Sequence, residues 1–189
     1  MDKPTLMVIV GSTRPGRIGK PVSDWIVDLV KGADQFVLDV ADLAEIALPM
    51  YDEPLHPLFG QYEHAHTLAW SQRVRSADAF VFITPEYNHG FNAAIKNAID
   101  YLNSEWAYKP AGIVSYGGVS AGTRAAEMLR QVLANVRIVD LAESVNIPFV
   151  AQFVNDNGDI DANAAMETAA EAMLAELHRT SSVLVALRP

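Results

Sequence analysis

The chain has 189 residues, room for one domain rather than two. Half are hydrophobic and a fifth charged, a soluble globular mix that excludes disorder, collagen-like repeats and coiled coil as the dominant state. Fourteen basic against 23 acidic residues leave a net charge of −9, which argues against a broad nucleic-acid surface and requires any anionic ligand to be held by a local cluster. Thr5–Val10, rich in Val and Ile, reads as a first strand, and a loop follows over residues 11–20. Val22, Trp25, Ile26, Leu29 and Val30 recur at helical spacing, with Lys31-Gly32 as a stop. Phe36–Leu43 reads as a second strand, and the proline-bearing residues 44–62 as a long loop. A weaker helical pattern over residues 63–76 rests on Leu68 and Val74. Ala79–Thr84 is a third strand, followed by a turn-rich loop over residues 85–90. Ile95, Ile99 and Leu102 mark a helix over residues 92–102. Pro110–Ser115 is a fourth strand and residues 116–122 a Gly-rich connection. Met128, Leu129, Val132, Leu133 and Val136 form the next helical stripe, and Arg137–Leu141 a fifth strand. Residues 146–158 read as irregular, and Ala162 to about Leu177 as an alanine-rich helix with Met166, Met173 and Leu177 inward.

Strands alternating with helices imply right-handed crossovers and a parallel sheet covered on both faces. Five strands in one unit point to a doubly wound α/β sheet in the order 2-1-3-4-5. Such sheets bind ligands beyond the carboxyl ends of their strands, near the switch point between strands one and three. The absence of cysteine removes disulfides, thiolate nucleophiles and cysteine metal sites. No apolar run reaches a membrane span, and the N-terminus lacks a signal-peptide pattern, so a cytoplasmic protein is expected.

Three loops meet at that edge. The first, Gly11-Ser12-Thr13-Arg14-Pro15-Gly16-Arg17-Ile18-Gly19, places hydroxyls and guanidinium groups at a helix N-terminus, where free amides and the helix dipole attract anions. It fails as a nucleoside-triphosphate loop, because Arg17 and Ile18 stand where Lys and Ser/Thr are needed, and it lacks G-x-G-x-x-G. A lone phosphomonoester fits it better. The second, Pro85-Glu86-Tyr87-Asn88-His89-Gly90, offers a flat face and a polar edge to a planar ligand. The third, Ser115-Tyr116-Gly117-Gly118, permits close backbone approach.

With Lys96-Asn97-Ala98-Ile99-Asp100 and Lys109-Pro110-Ala111-Gly112, these motifs resemble the NADPH-dependent FMN reductase family, in order and spacing, from residue 6 to about 145. The resemblance implies a flavodoxin-like fold and an FMN-binding NAD(P)H-dependent oxidoreductase. Hydride would pass from NADPH or NADH to the flavin, and electrons onward to a flavin, quinone, azo compound or metal oxyanion. It implies that Ser12, Arg14, Arg17, Ile18 and Gly19 surround the FMN phosphate, that Pro85, Glu86, Tyr87 and Asn88 border the ring system, and that Ser115, Tyr116, Gly117 and Gly118 approach its edge or the ribityl chain. It also implies a homodimer or homotetramer, with the helix 92–102 and Trp106 as interface elements. No catalytic residue is named, because the cofactors carry the chemistry.

Three other readings compete. Gly118-Val119-Ser120-Ala121-Gly122 matches the nucleophile elbow of α/β-hydrolases, with Asp140 or Glu143 as acid and His178 as the only later histidine. His64 and His66, with His56 upstream, suggest a metal, but two residues apart within a helix they do not share a face. A non-enzymatic flavodoxin-like carrier or sensor would share the fold and the flavin.

Overall fold

The structure is a computed structural model describing residues 3–188. Strands β1 (Thr5–Val10), β2 (Val37–Asp42), β3 (Ala79–Pro85), β4 (Pro110–Tyr116) and β5 (Val139–Ile147) form one parallel sheet in the order β2-β1-β3-β4-β5. The helices are α1 (Gly19–Ala33), α2 (Leu43–Ile46), α3 (Ala65–Ser76), α4 (Ala93–Asp100), α5 (Thr123–Asn135) and α6 (Ala164–Leu184).

The two-residue period of the central strands divides the core between two faces. Met7 and Ile9 of β1, with Phe80 and Phe82 of β3, point toward α3, α4 and α5, where they meet Trp70, Ile95, Ile99, Trp106, Leu129 and Leu133. Leu6, Val8, Val81 and Ile83 point the other way, onto Val22 and Ile26 of α1 and Met173 and Leu177 of α6. Each fully buried large apolar side chain contributes roughly 1.5–3 kcal/mol of transfer free energy.

Several boundaries differ from the sequence reading, for physical reasons. The inward stripe of α3 is Thr67, Trp70, Ser71 and Val74, while Leu68 faces solvent. On α5, Met128 is exposed, and Ala125, Ala126, Leu129 and Leu133 are buried. The fifth strand begins at Val139 and continues to Ile147, because only Leu141, Val145 and Ile147 must be covered on this edge strand. The long loop carries α2 and a short 3-10 turn, Pro57–Phe59. Within it, the buried Glu53 accepts the amides of Glu63 (2.9 Å) and His64 (3.0 Å), and so anchors the chain where it leads into α3. Trp106, expected at an interface, is wholly buried and donates to the Ile99 carbonyl (3.2 Å).

Candidate functional site

The carboxyl ends of β1, β3 and β4 lie side by side, so their following loops converge. Beyond β1 the chain turns at Pro15, where the Arg17 amide meets the Arg14 carbonyl (3.1 Å), and enters α1. Ile18 caps this helix without a side-chain hydrogen bond. Among the described residues, the amides of Ile18, Gly19 and Lys20 have no partner within the protein, which leaves three donors at the positive end of the helix dipole.

Beyond β3, Tyr87 and Gly90 exchange both backbone hydrogen bonds (2.8 and 3.0 Å). Asn88 and His89 both take positive φ, 50° and 70°, as a two-residue hairpin turn with the strand twist demands. The turn raises Tyr87 beside the first loop, where its hydroxyl meets Ser12 Oγ at 2.9 Å. Beyond β4, the Gly117 amide reaches the Ile147 carbonyl (3.2 Å) and its own carbonyl takes the amide of Val150 (3.2 Å).

Between the loops lies a cavity of about 170 Å³ lined by Ser12, Arg14, Arg17, Ile18, Pro85, Glu86, Tyr87, Tyr116, Gly117 and Val150. Of the residues the sequence singled out, Gly19 sits directly behind it: a β-carbon there would come within 2.6 Å of the Tyr116 hydroxyl. Three others do not line it. Asn88 is at the exposed hairpin tip and Gly118 is solvent-exposed. Ser115 is buried with its hydroxyl turned onto the Ala121 carbonyl and Asn146 (both 2.8 Å), so it braces the loop instead of reaching the cavity. Val150, missed by the sequence reading, enters through its backbone bond to Gly117, a tertiary pairing with no local signal. A larger neighbouring cavity, about 430 Å³, is bounded by Thr13, Leu43, Met50, Ala94 and Asn97 and contains no charged side chain.

The smaller cavity concentrates unsatisfied polar atoms. Arg17 pairs with Asp42, itself 4% exposed and the cap of α2, and this fixes the guanidinium while its Nε stays buried without a partner. Glu86 gives Oε1 to Arg124 (2.6 Å from Nε), and its Oε2 is buried and unpartnered. Burial works against the Glu86 charge, but Arg124 outweighs it and holds the carboxyl below its usual range. Burial, with Tyr87 nearby, pushes the Tyr116 phenol up, so it keeps its proton. Buried donors and acceptors left unpaired cost free energy that a ligand recovers. Unpaired cationic N–H and helix amides fit a phosphate, and the free carboxylate oxygen fits a ligand N–H or O–H.

The competing sites come apart in three dimensions. Ser120 follows the carboxyl end of β4, whereas the His178 ring packs edge-on against Phe36, before β2, at the other end of the sheet. No Ser-His pair forms. His64 lies just outside α3 in extended backbone, so the helical spacing argument does not apply, and its ring stacks on His66 at 5.2 Å. His66 and Tyr101 both bond to Asp52 (3.0 and 2.8 Å). Among the described residues no group of three or more His, Asp or Glu side chains is arranged to hold a metal, and no helix is long and apolar enough to cross a membrane.

A doubly wound sheet in this strand order, with unpaired amides and a buried guanidinium Nε at its switch point, defines a flavodoxin-like protein. Residues 4–152 match the family described as NADPH-dependent FMN reductase, and the chain belongs to that family: it is an oxidoreductase with FMN as cofactor and NAD(P)H as electron donor. It is 41% identical over 127 residues to an NAD(P)H-dependent FMN reductase of Schizosaccharomyces pombe, a match spanning 66% of this chain and 64% of that one. It is 34% identical over 134 residues to an NADPH azoreductase of Bacillus sp., covering 69% of each. Among solved structures, it superposes on FerB, a flavoenzyme NAD(P)H:(acceptor) oxidoreductase from Paracoccus denitrificans, with a TM-score of 0.70 and 25% identity over 96% of this chain and 97% of that one.

Proposed function

We propose that residues 1–189 form one FMN-binding domain that oxidises NAD(P)H in the cytoplasm and reduces a small quinone-, azo- or flavin-type acceptor. The observation that carries this reading is the set of unpaired donors at the first loop: three uncapped amides of α1, buried Ser12 and the partnerless Nε of Arg17. When bound, FMN supplies the two-electron chemistry between NAD(P)H and the acceptor.

The protein's own part is to bind, orient and exclude water. Ser12, Arg14, Arg17, Ile18 and Gly19 hold the phosphate. Pro85, Glu86 and Tyr87 border the ring system, with Glu86 Oε2 accepting a hydrogen bond from the ligand. Tyr116 and Gly117 close the far side, and Ser115 fixes that loop. The Ser12–Tyr87 bond links the phosphate loop to the ring-binding hairpin. A homodimer or homotetramer is part of this reading, supported by exposed Met50, Leu58 and Phe59 on the loop that borders the larger cavity. Light scattering on the purified protein measures that state.

The function is tested by the visible spectrum of protein reconstituted with FMN and desalted, before and after anaerobic NADPH. A retained flavin band that bleaches is expected. A retained band that persists returns the chain to a carrier or sensor role. No retained flavin, together with no NADPH oxidation when FMN is added, overturns the reading.

A further inference from the structure

The Lys109-Pro110-Ala111-Gly112 motif opens β4 at the end of the sheet away from the flavin cavity, so the proposed function does not use it. Lys109 is 4% exposed. Its Nζ donates to the carbonyls of Val74 (2.8 Å) and Arg75 (3.1 Å) in the last turn of α3, and sits 5.7 Å from the centre of the Phe80 ring. The carbonyls take two of its three N–H groups. Neither nearby carboxylate pairs with it. Glu105 is occupied by Ser71 (2.6 Å), Tyr62 (3.2 Å) and Arg75 (3.3 Å). Asp78 is occupied by the Thr5 amide (2.8 Å) and Arg188. A buried ammonium without an ionic partner is unusual, because neutral hydrogen bonds return only part of its lost hydration.

Lys109 lines a cavity of about 270 Å³ whose other walls are Arg75, Ser104, Glu105, Ala107 and Arg188. Arg188 Nε is buried and has no partner. The charged groups facing this space are Arg75, Lys109 and Arg188 against Glu105 and Asp78, an excess of one positive charge in a protein of net −9. Two unsatisfied cationic donors beside a polar hole of this size match a tetrahedral oxyanion.

We propose that this pocket is a second anion site, separate from the flavin cavity, that takes one oxyanion of phosphate size, free or as the terminus of an organic phosphate. Lys109 and Arg188 donate to it, and Arg75 closes the outer side.

Burial, followed by the charge of Arg188, pushes the Lys109 ammonium down to about 8. The other charged groups facing it are Arg75, Arg188, Asp78 and Glu105. Anion affinity therefore falls as pH rises through about 8.

The test is amide NMR of the full chain titrated with sulfate, whose charge is constant in this range, and separately with glycerol 3-phosphate, at constant ionic strength. Saturable shifts are expected over residues 75–78 and 104–109, distinct from any at residues 11–19 in the flavin loop. Arg188→Gln and Arg75→Gln are each expected to weaken binding roughly tenfold. Raising pH from about 7 to about 9.5 is expected to weaken sulfate binding by a similar factor. Tighter binding of glycerol 3-phosphate than of sulfate identifies an organic phosphate as the preferred ligand, and equal binding a free anion. No saturable shift at 104–109, or shifts there that both variants leave unchanged, overturns the proposal.

Discussion

Gly122 offers a direct test of what the Gly-x-Ser-x-Gly segment is for. It starts α5 with φ of 77°, and a β-carbon there would lie 2.7 Å from the Tyr116 nitrogen, 2.8 Å from the Tyr116 oxygen and 2.9 Å from Ser115 Cβ. Two of these are backbone atoms at the end of β4, and the Tyr116 oxygen also accepts the Glu86 amide (3.2 Å), so neither can swing aside. Gly122→Ala therefore combines a left-handed L-residue, roughly 1–2 kcal/mol, with an overpacked contact, roughly 1–3 kcal/mol. About 3 kcal/mol of destabilisation is expected in urea unfolding. Ser120→Ala in the same loop is the control: it removes only a hydroxyl within hydrogen-bonding reach of the Glu86 carboxylate, so about 1 kcal/mol is expected, well short of Gly122→Ala. Displacing Tyr116, which lines the cavity, should also weaken FMN binding. Gly122→Ala within about 0.5 kcal/mol of wild type would show that the loop yields and refute the packing argument.

Other expectations follow from the same geometry. Arg17→Ala should weaken FMN binding roughly ten- to a hundredfold, as a charge-assisted bond to phosphate implies, while leaving riboflavin almost unaffected; equal loss for both in fluorescence titrations would count against a phosphate role. Arg14→Ala should chiefly slow FMN association and reduce its salt dependence in stopped flow, because Arg14 is exposed at the cavity mouth; a change confined to dissociation would contradict this. Glu105 has a carboxyl that burial alone would raise but that Ser71 and its other hydrogen-bond partners lower below 4.5, so its contribution is present above that value and lost as pH falls through the folded one. Acid unfolding of Glu105→Gln should accordingly show a shallower pH slope, and an unchanged slope would assign acid lability elsewhere. Lys109 titrates lower in the folded state, about 8 against 10.5, so its penalty is full below pH 8 and fades toward pH 10.5. The difference in stability between wild type and Lys109→Met should shift by about 3 kcal/mol in favour of wild type across that window, and a pH-independent difference would mean the ammonium is better solvated than its burial implies.

The strands were legible because a sheet covered on both faces forces near-continuous apolar runs, and Leu6–Val10 and Ala79–Ile83 have them. Edge elements were less legible. Ala142, Glu143 and Asn146 interrupt the apolar run, yet they lie on exposed positions of a strand that continues through them. Leu68 and Met128 misled because an apolar residue at helical spacing need not be inward when Ser71 or Ala125 already occupies the buried stripe. The donors of the first loop were legible because they are consecutive in sequence. Asp42, Arg124 and Val150 were not, since each matters only through a partner brought near by folding: Arg17, Glu86 and Gly117. Glu53 belongs with them, a buried carboxylate that holds the amides ten and eleven residues on, just ahead of α3.

On the proposed reading, the two arginines of the first loop divide the work of binding an anion to an acidic protein. A net charge of −9 repels phosphate at a distance, so an attractive group must project beyond the local surface. Arg14 is exposed at the cavity mouth and meets that need, but a free side chain loses rotamer entropy when it grips a ligand. Arg17 is the converse. Its partner Asp42 cancels much of its long-range field, yet fixes the guanidinium with Nε unpaired, so that little ordering remains when a phosphate arrives. Asp42 is held in turn by capping α2 through the Ala44 amide (3.0 Å). The rigidity of the proposed phosphate site therefore originates at the end of β2, a strand whose own loop never enters the cavity.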